Sequence, residues 1–88
     1  MKIKKIYYTA KFGKNFKKLP DRVEKKAITN EKIFRQNPFD KRLKTHKLKG
    51  ILKDFYSFSV GYKYRILFAF ENRDEVTFAD VGTHRVYR

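Results

Sequence analysis

The chain has 88 residues, enough for one hydrophobic core and no second, so any site has to lie on the surface of a single small fold. Its 23 Lys and Arg against 9 Asp and Glu leave a formal charge of +14, which self-repels unless a polyanion or an acidic protein neutralises it. With 41% hydrophobic residues, nine Phe and six Tyr, disorder is excluded, and with no Cys so are disulfides, thiolate metal sites and cysteine nucleophiles.

In chain order, Ile3 to Thr9 is β-branched and aromatic and predicts a first strand. Phe12, Phe16 and Leu19 then recur at i, i+4, i+7 among lysines, which predicts a short amphipathic helix ended by Pro20. Asp21, with Glu24 three residues on, is the expected N-cap of a second helix. Its apolar side is set by Val23, Ala27 and Phe34, supported by Ile28 and Ile33, and Asn37-Pro38 stops it. A polar, basic loop follows from Phe39 to Thr45, and His46 to Gly50 leads into Ile51-Leu52 as a short strand or extended segment. Asp54 to Val60, Tyr64 to Phe70 and Glu75 to Val81 alternate or run apolar over strand lengths, with breaks short enough for hairpins. The expected fold is α+β: one domain over residues 1–88, with two N-terminal helices packed on one face of a small antiparallel sheet, in the order β-α-α-β-β-β.

Charge is uneven along the chain. Residues 1–50 carry 17 basic and 4 acidic side chains and residues 51–88 carry 6 and 5, so contact with a polyanion should concentrate in the first part. The longest strictly apolar stretch, Ile66 to Phe70, falls far short of the ~20 residues that span a bilayer. The N-terminal MKIKKIYYTA has no apolar signal core. These features predict a soluble cytoplasmic protein without membrane contact, and two histidines with no carboxylate cluster predict no metal and no cofactor.

Four constellations bear on chemistry. His46 and His84 are the only side chains with an unperturbed pKa near neutrality, so each is either an acid/base group or an ordinary turn histidine. His84 follows Gly82-Thr83 at a predicted strand end, where sites tend to be built. In the stretch Lys41 to Lys49, the alternation puts Lys47 and Lys49 on one side and Leu48 on the other; Lys44, Lys47 and Lys49 either track a phosphate backbone or protect an edge strand. Arg65, inside the apolar run YRILFAF, either faces a groove that suits a phosphate or pairs with Asp54, Asp80 or another carboxylate. The aromatics are core by default, with the C-terminal tyrosines as candidates for stacking on bases. No Gly-rich phosphate loop, GxSxG or HExxH occurs. An enzyme of this composition would be a metal-free acid/base catalyst acting on a polyanion. Strand cleavage of RNA fits, because the 2′-hydroxyl is an internal nucleophile.

Asn37-Pro-Phe-Asp40, Leu43-Lys-Thr-His-Lys-Leu-Lys-Gly50, Tyr56 to Tyr62, Tyr64-Arg-Ile-Leu-Phe68 and Asp80-Val-Gly-Thr-His84 with Val86-Tyr87 resemble the RelE/ParE superfamily of type II toxins, especially its RelE and YafQ-like members. The resemblance implies an mRNA interferase that enters the ribosomal A site, cleaves the message without a metal and is held inactive by an acidic antitoxin. It implies a monomer when alone and a hetero-oligomer with that antitoxin. His84 matches the C-terminal histidine that YafQ-like toxins use in acid/base catalysis and His46 the histidine of their HKL segment, while Arg65 matches an arginine that supports the transition-state phosphate and Tyr87 a C-terminal active-site tyrosine. Lys44, Lys47, Lys49 and Arg85 sit where such toxins approach RNA. Two departures stand out: Ser59 and Lys63 occupy positions where the YafQ-like pattern has a histidine and an aspartate, and only Arg85 separates GTH from Val86-Tyr87. Two other classes remain open, a ParE-like poison of DNA gyrase, which needs no histidine, and a non-catalytic basic RNA-binding protein.

Overall fold

The computed structural model describes residues 1–87. It contains β1 (Lys5–Tyr8), α1 (Ala10–Phe16), α2 (Asp21–Gln36), β2 (His46–Lys47), β3 (Tyr56–Val60), β4 (Tyr64–Phe70) and β5 (Glu75–Gly82), with 3-10 turns at Lys41–Leu43, Gly50–Leu52 and His84–Tyr87. The two helices pack against a five-stranded sheet of order β1-β5-β4-β3-β2. The expected α+β layers and the β3-β4-β5 meander are present, and the sheet is mixed rather than purely antiparallel. The difference lies in β1, which runs parallel to β5 with Ile6 opposite Val76 and Tyr8 opposite Phe78. The hairpins had left one edge of β5 unpaired, and β1 satisfies it.

Thr9 starts α1: its Oγ1 accepts from the Phe12 N–H at 3.0 Å while its hydroxyl donates to the Ala79 carbonyl at 2.8 Å. The helix is thus capped and tied to β5 by one side chain. Asp21 is not a cap. Pro20 holds the N-cap position of α2 without a side-chain bond, and Asp21 and Glu24 lie inside the first turn, where negative charge complements the helix dipole. The buried stripe of α2 is Ala27, Asn30 and Phe34, with half-buried Val23 one turn earlier, spaced i, i+4, i+7, i+11. Ile28 is one position off that stripe and is exposed, contrary to expectation.

Phe34 is wholly buried, with ring centroids 5.0, 4.8 and 5.2 Å from Phe58, Phe68 and Phe78. Each such pair contributes about 0.5–1.5 kcal/mol beyond the area it buries. Asn30, also buried, donates from Nδ2 to the Ser59 carbonyl at 2.8 Å, and β2 is too short to reach that carbonyl. A bulge at Ala79 lets both Phe78 and Val81 turn into the core. Ile51-Leu52 form no strand. Gly50 adopts φ +70°, which ends the extended backbone, and the 3-10 turn that follows leaves Ile51 fully exposed.

Candidate functional site

Period-two alternation sorts the strands into two faces. Phe58, Val60, Ile66 and Phe68 enter the core under the helices, so Ser57, Ser59, Arg65 and Leu67 lie on the opposite face. Cross-strand register orders that face in rows: His46 is opposite Ser57 and Ser57 opposite Leu67, while Ser59 is opposite Arg65 and Arg65 opposite Gly82. Directly paired side chains share a face and lie about 4.5–5.5 Å apart. His46 therefore flanks Ser57, and Arg65 lies one row away on the central strand β4.

The last 3-10 turn, His84–Tyr87, is held against this face. Gly82 permits the fold-back, since a Cβ there would stand 3.3 Å from Val86 Cγ1. Val86 is buried and donates its N–H to the Thr83 carbonyl at 3.0 Å. The Tyr87 hydroxyl is 2.9 Å from the Oγ of Ser57, which is wholly buried. Tyr87 and His46 thus meet the same serine from two elements. His84 opens the turn, exposed, and its ring makes no hydrogen bond among the described residues.

Arg65 is half-buried, and its Nη1 donates to the carbonyls of Tyr62 at 3.2 Å and Tyr64 at 2.9 Å. It forms no ion pair among the described residues; Asp80 is occupied by Asn15 at 2.7 Å, by the Val81 N–H at 2.8 Å and by Lys11 at 3.5 Å. A guanidinium anchored only by neutral carbonyls keeps its full charge for an incoming anion. His46 is exposed, with Nδ1 3.3 Å from the Lys44 carbonyl. That carbonyl can only accept, so a neutral ring carries its proton on Nδ1 and presents the Nε2 lone pair outward. The carbonyl is aimed by Lys44 itself, whose φ of +53° is the single positive value at a non-glycine among the described residues.

The loop before His46 is fixed from both ends. Thr45 Oγ1 donates to the Pro38 carbonyl at 2.6 Å, and Asp40 Oδ1 accepts from the N–H and side chain of Arg42. Those hydrogen bonds from Arg42 hold the Asp40 carboxyl down to about 2. Lys47 is not in the row with His46. Its partner is Tyr56, its ammonium stands 5.1 Å over that ring and donates to the Lys53 carbonyl at 2.5 Å, and it belongs to the other face. Lys44 and Lys49 are exposed in the backbone around β2, and Arg85 is exposed beside Gly82 with Nη2 3.8 Å from where a Cβ would stand. Lys63 is exposed in the β3-β4 turn, while Ser59 is buried opposite Arg65. Ser57 was not singled out from sequence, although the alternation in YSFSV marks it for the face outside the core. Among the described residues no three His, Asp or Glu side chains are grouped to hold a metal ion, and no helix is long and apolar enough to cross a membrane.

No family model and no curated protein matches the chain. Solved structures do. The YoeB/ParE toxin from Agrobacterium tumefaciens superposes with a TM-score of 0.78 at 15% identity, over 91% of this chain and 98% of that one. The E. coli DinJ-YafQ toxin-antitoxin complex matches with a TM-score of 0.74 at 20% identity, over 92% of both chains. The archaeal RelE-RelB complex from Pyrococcus horikoshii matches with a TM-score of 0.74 at 17% identity, over 94% and 96%. The chain has the RelE/YafQ-like toxin fold.

Proposed function

We propose that the protein is the toxin of a type II toxin-antitoxin system and acts as a metal-independent, ribosome-dependent endoribonuclease. The observation that carries this reading is the face on which His46, Arg65 and Tyr87 lie together beneath the turn that begins at His84. In the proposed reaction His46 Nε2 takes the proton of a 2′-hydroxyl, whose oxygen attacks the adjacent phosphorus. Arg65 stabilises the charge that develops on the phosphoryl oxygens, and His84 protonates the departing 5′-oxygen. Bonds balance: one P–O bond forms and one breaks, leaving a 2′,3′-cyclic phosphate and a 5′-hydroxyl. Tyr87, bonded to Ser57, borders the reacting phosphate, and Lys44, Lys49 and Arg85 hold flanking phosphates. Lys47 contributes charge from the other side of the sheet edge.

The partners are mRNA in the ribosomal A site and an acidic antitoxin, with hetero-oligomer formation on binding the latter. A charge of +14 favours fast, steered association with such a chain, and similar folds occur in the DinJ-YafQ and RelE-RelB complexes. The test is a ribosome-based translation reaction with message 5′ ends mapped by primer extension, run beside His84→Ala and a ribosome-free control. Cuts that require ribosomes and fall ~10²–10⁴-fold in His84→Ala are expected. Intact message would overturn the reading, and loss of DNA supercoiling by gyrase in its place would assign the gyrase-poisoning alternative.

A further inference from the structure

Three adjoining cavities form a trough around one end of the sheet. The largest, about 300 Å³, has Val23, Val60 and Tyr64 in its wall and Arg22, Lys26 and Lys63 at its rim. Tyr64 is shared with a second cavity of about 190 Å³ that carries Lys18, Thr83 and Arg85. The third, about 180 Å³, continues from Lys18 and Arg85 to Lys11 and Asp80. Asp80 is the one carboxylate in the trough, and its oxygens are already held by Asn15, Lys11 and the Val81 N–H. Among the described residues Arg22, Lys26, Lys63, Lys18 and Arg85 enter no ion pair. Tyr62, 95% exposed, lines the largest cavity. The turn that bears Tyr62 and Lys63 also supplies the carbonyls that anchor Arg65, so the trough begins where the proposed phosphate site ends.

We propose that this trough is a second, non-catalytic binding site for single-stranded RNA flanking the cleaved bond. Phosphates lie against Arg22, Lys26 and Lys63 on one side of Tyr64 and against Lys18 and Arg85 on the other, with a base stacked on Tyr62. Cations that track a backbone beside exposed aromatic rings are the general solution for sequence-tolerant single-strand binding. A nucleic-acid strand alternates apolar base faces with phosphates, as the trough alternates an apolar cavity with cationic walls. An acidic peptide would meet the same cations, but its apolar side would find no apolar floor in the polar third cavity. The proposal rests on the reading of the protein as RNA-directed. Its test involves no cleavage, so the two fail separately.

A labelled short oligoribonucleotide carrying 2′-O-methyl groups, which cannot attack, is titrated by fluorescence anisotropy at several KCl concentrations. The trough variant Arg22→Gln/Lys26→Gln/Lys63→Gln is compared with Lys4→Gln/Lys32→Gln/Arg73→Gln, which removes equal charge from exposed positions outside the trough. Loss of three phosphate contacts lowers the slope of log K against log salt by about 2, at about 0.7 per contact for single strands, while the second variant keeps nearly the wild-type slope. Tyr62→Ala weakens binding roughly 5- to 150-fold and Tyr62→Phe restores it. Equal slopes for the two triple variants, or a trough variant that binds as wild type, overturn the proposal. Wild-type RNA binding by the trough variant with loss of a Glu-rich helical peptide that the parent holds also overturns it, in favour of a protein partner.

Discussion

The Ser57–Tyr87 hydrogen bond predicts an asymmetric pair of substitutions. Ser57 is wholly buried and Tyr87 only half-buried, with 2.9 Å between their oxygens. Tyr87→Phe removes the partner of a hydroxyl that water does not reach, which costs about 1–3 kcal/mol. Ser57→Ala leaves the tyrosine hydroxyl free to turn toward solvent, so it loses only the net bond, about 0.5–1.5 kcal/mol. The double variant removes both polar groups together. It should resemble Ser57→Ala and so fall short of the summed single effects by the cost of Tyr87→Phe, about 1–3 kcal/mol. In a domain of this size 1 kcal/mol moves the melting temperature by about 4–8 °C, which urea and thermal unfolding resolve readily. Additive effects, or Ser57→Ala as the more damaging change, would refute the assignment of this bond as the pin of the last turn. Because that turn carries His84, Ser57→Ala should also lower cleavage without moving the midpoint of its pH dependence, which His46→Ala and His84→Ala should shift or abolish.

Phe34→Ala should cost about 3–5 kcal/mol, because three phenylalanine rings surround a fully buried side chain, and chemical unfolding should show a large drop in midpoint. Asn30→Ala should destabilise by about 1–3 kcal/mol by leaving the Ser59 carbonyl unpaired, with Asn30→Leu no better, as hydrogen exchange along β3 would show. Asp40 should titrate at about 2 by NMR, and Arg42→Ala should raise it toward the ordinary carboxylate value. Its folded-state pKa is depressed, so the contribution of this cap is present above the unfolded carboxylate pKa near 3.9 and is lost as pH falls through 2. Tyr8, pushed up to about 12 by burial and then by its hydrogen bond to Glu31, works in the opposite sense. Its contribution is present below pH ~10 and is lost between ~10 and 12, as absorbance titration of wild type and Tyr8→Phe would register.

Local features proved legible where one residue decides the backbone. Pro38 ended α2 through Asn37, and the run Tyr64 to Phe70 has the bounds of β4. The face outside the core was readable in the alternation of YSFSV, and of the two readings left open for Arg65, a groove or a carboxylate pair, no ion pair is formed among the described residues. What stayed hidden depends on distant partners. Nothing local tells Lys5–Tyr8 that its neighbour is Glu75–Gly82 or that the pairing is parallel. Asn30 reads as an interruption of a helix stripe until the short reach of β2 exposes the Ser59 carbonyl. Reading Ile51-Leu52 as the extended segment placed the strand too late, since the pairing with β3 is made by His46 and Lys47. The trough is the extreme case, since its walls come from both helices, the β3-β4 turn, β5 and the last 3-10 turn.

The parallel seating of β1 against β5 also fixes a timetable. During synthesis β1, α1 and α2 emerge first, but the slot for β1 does not exist until residues 75–82 have left the ribosome and β5 has docked on β4. Until then Ile6, Phe12 and Phe34 lack Val76 and Phe78 as packing partners, and the loop to be closed spans most of the chain. Ser57 likewise stays uncovered and the turn from His84 unformed. A chain assembled in this order completes the face that carries His46, Arg65 and Tyr87 only after the turn His84–Tyr87 has emerged, so that face belongs to the finished molecule and to no shorter nascent stretch of it.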